Sequence, residues 1–361
     1  MHPRFYLSLA VGLLLTWPTP RLLAQPDTTR QRAGVTDFFG AEPPVAFTLM
    51  ARMTALVDDR TKPRADSLAV RHPATLTYLD SIRGGNQTLP VAVMVRGNFR
   101  RNATNCAFPP LYLDFPKKKT RETPFAGLNK LKLVTHCQGD EYVLREFLLY
   151  KLYNLLTAVS FRARLARVAY VDSLRKRPTE TRWAFLIEDD GEVLRRNQLA
   201  ERPQGLPATE ADSLSMVRLA VFEFMIGNID WSVAYRHNIR LGTPRAGGRP
   251  LPMPYDFDHA ALVDAPYAQY ADRSGEDAMP TRAYRGPLYP GWLLKQVFAE
   301  FIALKPQIYT VYQTEKRLNR GYIAQSITYL DSFYALIRDP NAVRASFFNG
   351  DTDGRLFQSF K

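Results

Sequence analysis

Four polar side chains sit in an otherwise apolar neighbourhood. The stretch GNIDWSVAYRHNI, residues 227–239, carries Asp230 and Asn238. A second stretch, PMPYDFDHA, residues 252–260, carries Asp256 and Asp258. Phosphoryl transfer needs a carboxylate near the attacking hydroxyl and oxygen ligands for a Mg²⁺ ion that bridges the phosphates. Taken together, Asp230, Asn238, Asp256 and Asp258 offer both kinds of group. The same residues also suit an architectural role, Asp230 capping a turn and Asp256 and Asp258 bracing a hairpin. His237, next to Asn238, is either a substrate or metal contact or a hydrogen-bonded loop histidine.

Positioning these groups requires a helix before them and a hairpin around them. Residues 208–228 place Leu214, Val217, Val221 and Met225 on one helical face, with Thr209 and Asp212 as a weak capping box. The run NIRLG…LPMPYDFD then reads as strand, turn, strand. Upstream, 44–53, 89–101, 110–115 and 129–137 are strand-like, and the last two alternate apolar with polar side chains. The period changes over 140–156, where Leu144, Phe147, Leu148, Leu152 and Leu155 fall at helical spacing and Asp140 follows Gly139 as a candidate N-cap. ARLARVAYVDS and RWAFLIED read as a strand pair, and 291–304 and 321–337 as two amphipathic helices. The order is sheet, one long helix, more sheet, then helices with a hairpin insert bearing the acids. That predicts an α+β chain in two lobes, with a sheet-rich part over 45–190 and a helical part over 191–361.

The N-terminus reads as a secretory signal peptide over 1–24: Arg4, then an apolar run Phe5–Trp17, then a small residue before a cut near Ala24. Residues 25–44 read as a flexible lead-in. Export to the periplasm or cell exterior is therefore expected, with no membrane span in the mature chain. Removing 24 of 361 residues leaves 337, enough for one large or two packed domains. With 46% hydrophobic and 12% aromatic residues, disorder is excluded as the overall class. The net charge of +13 favours polyanions. Without a basic helical stripe or an arginine–aromatic platform, however, no specific nucleic-acid partner is expected. Cys106 and Cys137, the only cysteines, form either a disulfide suited to an exported protein or two buried thiols.

The ordered motifs VMVRGNFRR, PLYLDFPKKK, GLNKLKL, EYVLREFLLYKLYNLL, VAYVD, AFLIEDDGEVLRR, GNIDWSVAYRHNI and PYDFD resemble the CotH family of spore-coat-type atypical protein kinases over about residues 90–265. The resemblance implies a two-lobed, diverged protein-kinase-like fold, with a sheet-rich N-lobe holding one long helix and a helical C-lobe. It implies Asp230 as the catalytic carboxylate, and Asn238, Asp256 and Asp258 as metal ligands. It implies Lys132 and Glu146 as the pair that orients nucleotide phosphates, with Lys130 on the same strand face. Arg96, at the RG turn, either touches phosphate or ends its strand in solvent. ATP with Mg²⁺ or Mn²⁺ would be the cofactors, and a protein or small-molecule hydroxyl the acceptor. The chain departs from the pattern in four places, the first being that NATNCAFPPL replaces the family's usual Lys-rich turn. Asp230 and Asn238 are eight residues apart, a longer spacing than in ordinary protein kinases. No G-x-G-x-x-G loop is present, and the aspartate of PYDFD is followed by Phe-Asp rather than Phe-Gly. These departures favour the alternative of a non-catalytic, extracytoplasmic binding module on a pseudokinase scaffold.

Overall fold

A computed structural model describes residues 37–60, 69–80, 83–268, 270, 279–350 and 355–360. The expected signal peptide and most of the lead-in lie outside them. From Asp37 onward the described chain packs as one compact unit. The elements run β1 Val45–Ala51, α1 Met53–Asp59, β2 His72–Leu79, β3 Asn86–Val95, β4 Leu111–Asp114, β5 Lys130–Val134 and α2 Asp140–Leu156. They continue with β6 Ala163–Asp172, β7 Glu180–Ile187, α3 Asp190–Arg196, β8 Leu199–Glu201, α4 Ser213–Ile226, β9 Ile239–Pro244 and β10 Leu251–Pro254. Four helices follow: α5 Gly291–Gln313, α6 Arg320–Leu336, α7 Pro340–Phe347 and α8 Arg355–Gln358.

The first seven strands do not form the open sheet of a kinase-like N-lobe. They close into a barrel in the order β1-β2-β3-β4-β5-β7-β6. The expected two-lobed, diverged protein-kinase-like α+β fold is therefore overturned. The physical reason is the partner choice of β1. Its Leu49 lies opposite Leu76 in antiparallel β2 and opposite Tyr170 in parallel β6, so both of its edges are paired. Seven strands cannot alternate direction around a closed ring, so one seam must be parallel, and β1–β6 is that seam. Closure removes the exposed edges that an open sheet would leave.

Side-chain alternation fills the barrel. Leu49, Leu76, Val93, Leu113, Leu133, Val168 and Leu186 point inward and are fully buried, with Phe115 and Phe125 joining the same core. On the outer face of β7, Phe185 and Ile187 pack into a second core with α2 and the later helices. There Phe185 meets Phe147 at 6.0 Å and Tyr150 at 5.4 Å between ring centroids. Strand β7 is thus buried on both faces and welds barrel to helices.

Helix α2 starts at Asp140 as expected, but Gly139 is its cap. The Asp140 carboxylate instead accepts from the Trp183 backbone N–H at 3.2 Å and pairs with Arg167, tying the helix start to β7 and β6. Helix α4 is capped by Asp212, whose carboxylate accepts from the Ser215 N–H at 2.9 Å. A disulfide joins Cys106 and Cys137, with Cα atoms 4.5 Å apart, and links the loop after β3 to the turn before α2. It is compatible with export. Among the described residues no helix is long and apolar enough to cross a membrane.

Candidate functional site

Helix α4 ends at Gly227 in a left-handed conformation, φ 71°. A Cβ there would sit 2.4 Å from the Tyr329 hydroxyl oxygen and 2.6 Å from Ala261 Cβ, so glycine is required on two counts. The next residue, Asn228, is buried. It donates to Glu223 at 2.9 Å, and its side-chain oxygen accepts from the Asp230 N–H at 3.0 Å. Burial pushes the Glu223 carboxyl up to about 8.

The long spacing between Asp230 and Asn238 is taken up by a tight hairpin. Ser232 and His237 exchange both backbone hydrogen bonds, each at 2.9 Å, and Tyr235 stands at the tip, 88% exposed. The hairpin returns Asn238 to Asp230. The Asn238 amide donates to the Asp230 carbonyl at 2.8 Å and to its carboxylate at 3.0 Å. His237 Nε2 lies 2.7 Å from the other carboxylate oxygen. Asn238 holds a left-handed backbone, φ 53°, as does Asp256, φ 63°. Such conformations are uncommon outside glycine, although Asn and Asp tolerate them best, and they concentrate at functional sites.

Asp256 follows β10 and its N–H donates to the Tyr150 hydroxyl at 2.9 Å. Its carboxylate meets Arg100. The same guanidinium reaches three acids: Nη2 lies 2.8 Å from Asp256 and 3.0 Å from Glu146, and Nε lies 2.9 Å from Asp258. Arg100, Glu146 and Asp258 are nearly inaccessible, whereas the Asp256 side chain keeps 32% of its exposure. Burial opposes the Arg100 charge, but Asp258 and Glu146 outweigh it and hold the guanidinium well above its ordinary pKa. Burial pushes the Glu146 and Asp258 carboxyls up. For Asp256 burial is outweighed by Arg100, Arg96 and Lys132, which hold its carboxyl below the usual carboxylate range.

A second cation group lines the same cavity. Lys132 pairs with Asp190 at 3.1 Å and Arg240 with the other oxygen of Asp190 at 2.6 Å. Both cations sit on the Tyr255 ring, 4.6 and 4.9 Å from its centroid. Burial lowers the Lys132 pKa despite Asp190. Arg96 differs from these cations. Only 8% exposed, it is not in solvent, its Nε is buried without a hydrogen-bond partner, and among the described residues its guanidinium forms no ion pair, although its charge acts on Asp256. Its recorded contact is the Tyr112 ring at 5.7 Å.

These groups line one cavity of about 280 Å³. Lys132, Asp230, Asn238, Asp256 and Asp258 all face it, together with Arg96, Arg100 and Arg240. Glu146 stands behind it, on Arg100. The expected Lys132–Glu146 pair is replaced by Lys132–Asp190 and Glu146–Arg100. The sequence reading missed Arg100, Asp190, Arg240 and Tyr255. Arg100 lay inside the quoted VMVRGNFRR motif, but nothing local separates it from its neighbours. Asp190 carried a faint signal, as an acid directly after the apolar β7.

A resident divalent cation would need several oxygen ligands free to converge on one point. Here Asp256 and Asp258 converge on a guanidinium and Asn238 gives its amide to Asp230. Among the described residues no three His, Cys, Asp or Glu side chains are grouped to hold a metal ion. The arrangement therefore does not fit one. Its cations could receive an anion, Arg96 in particular, since it forms no ion pair among the described residues. No protein family's sequence pattern matches the chain and no curated protein matches it. The likeness to the CotH family rests on the quoted motifs alone.

Proposed function

We propose that the cavity binds a phosphorylated ligand and that the protein is an exported phosphotransferase, moving phosphate from a nucleotide to a protein or small-molecule hydroxyl. The observation that carries this reading is Arg96, a buried guanidinium that forms no ion pair among the described residues and lines the cavity together with Lys132 and Arg240. Arginine and lysine clamps stabilise charge on a transferring phosphoryl group. Asp230 supplies the second requirement. It is fixed by His237, Asn238 and Asn228 and keeps 34% of its side chain exposed. A carboxylate has about four acceptor positions, and His237 and Asn238 take one on each oxygen, so positions remain for an incoming hydroxyl. The order of motifs shared with the CotH family supports the same chemistry.

A second reading, a non-catalytic binding module using the same cavity, is favoured by one observation: Arg100 occupies Asp256 and Asp258. Calorimetric titration with ATP and with pyrophosphate tests binding, and mass spectrometry of acceptors incubated with ATP tests transfer. Binding with transfer supports the phosphotransferase. Binding without transfer supports the module. Absence of binding by either phosphorylated compound overturns both.

A further inference from the structure

We infer that Arg100 stands where a phosphate-handling site would otherwise hold a divalent cation, and that the cavity takes its phosphorylated ligand in metal-free form. The inference rests on the phosphate reading above and adds to it the ionic state of the ligand.

Three observations converge. First, the Arg100 guanidinium is shared among Glu146, Asp256 and Asp258 at 2.8–3.0 Å, and all four side chains but Asp256 are almost wholly buried. A planar, permanently charged fork can satisfy several carboxylates at once, and it fills the space in which those oxygens would have to surround an ion. Second, the positive charge facing the cavity is not balanced residue by residue. Asp190 serves both Lys132 and Arg240, and among the described residues Arg96 forms no ion pair, its charge acting on Asp256 only through space. A ligand arriving with its own Mg²⁺ would add two positive charges to that wall. A phosphate oxygen without its own Mg²⁺ would pair with Arg96 directly. Third, Arg96 is buried before any ligand arrives, so much of its desolvation is already met in the unliganded fold. Charge-assisted hydrogen bonds to a phosphate oxygen would then satisfy an orphan donor rather than replace one that water already satisfies.

The test has two arms on the full chain. In the first, free Mn²⁺ is followed by electron paramagnetic resonance in the presence of the protein alone. The wild type is expected to leave the signal unchanged, and R100Q, which frees Asp256 and Asp258, to deplete it by one ion per chain. Mn²⁺ uptake by the wild type that Asp256→Asn abolishes would overturn the inference, and this measurement does not depend on R100Q folding. In the second arm ATP and pyrophosphate are titrated in EDTA and in excess Mg²⁺. The affinity in EDTA is expected to equal or exceed that in Mg²⁺, and R96Q to weaken it by about tenfold or more, the loss of one charge-assisted contact. Binding only in Mg²⁺ overturns the metal-free ligand while leaving the phosphate reading intact. Binding in neither buffer overturns the phosphate reading and the ligand half of the inference with it. The Mn²⁺ arm then still decides the role of Arg100.

Discussion

Asp230 is held from three sides: its N–H by Asn228, one carboxylate oxygen by His237 and the other by Asn238. Asp230→Asn keeps the size and the neighbours but cannot take a proton. Transfer is therefore expected to fall by about a hundredfold or more while ATP binding, measured by calorimetry, stays within about twofold. A parallel loss of binding would make Asp230 a ligand contact instead. At this scale the sequence marked Asp230, Asn238, Asp256 and Asp258 as candidates because polar types stood out against apolar neighbours, and Lys132 through the resemblance to the CotH family. It could not reveal their partners. Lys132 meets Asp190 across 58 residues and Arg100 meets Asp256 across 156, separations over which no local pattern carries information.

The elements that carry the site are joined by short, strained connections. Gly227 links α4 to Asn228 and Asp230 at φ 71° with no space for a Cβ. Gly227→Ala is expected to destabilise the protein by at least about 1 kcal/mol, since the left-handed conformation alone costs about that for any side chain. Urea unfolding monitored by circular dichroism measures it, and an unchanged midpoint would show that the turn can relax. The disulfide closes a segment with a sequence separation of 31. Replacing both cysteines by serine is expected to cost about 2–4 kcal/mol, again read from the unfolding midpoint. Helix α2 was legible to the residue because its apolar spacing switches from period two to 3.6 at Asp140. The hairpin Ser232–His237 was not. It is a single bridge between polar residues, and it brings Asn238 back to Asp230 although the spacing between them is long.

For the molecule as a whole, the buried acid Glu223 ties stability to pH. Its carboxyl is raised from 4.5 to about 8 by burial, so the folded state holds a proton that the unfolded chain has released across that window. Stability from this group is complete below pH 4.5 and is lost as pH rises toward 8, at up to about 1.4 kcal/mol per pH unit. Glu223→Gln should retain an acceptor for the Asn228 amide and remove the titration. The expected outcome is that the variant gains thermal midpoint relative to wild type steadily from pH 5 to pH 8, as measured by differential scanning calorimetry. A constant difference would mean that Glu223 is ionised in the fold. His136 acts in the opposite direction. Burial lowers it to about 4, so its contribution is lost as pH falls below 6.5, and it cancels in the comparison of the two proteins.

By itself the sequence determined most of the longer local elements and the candidates. Alternation marked β4 and β5, a strand-like pair of runs marked β6 and β7, helical spacing marked α2, α4, α5 and α6, and polar residues among apolar ones marked the acids, because each of these signals lies within a few turns of chain. Tertiary structure alone decided that β1 closes on β6. Alternation tells a strand which of its faces is buried but not which strand lies beside it, and the seam joins residues more than a hundred positions apart. It also decided what the acids face. Asp256 and Asp258 meet a guanidinium rather than open space because the barrel brings the loop after β3 against the segment after β10. That juxtaposition, not the residue types, sets a guanidinium where the acids could otherwise have met an ion.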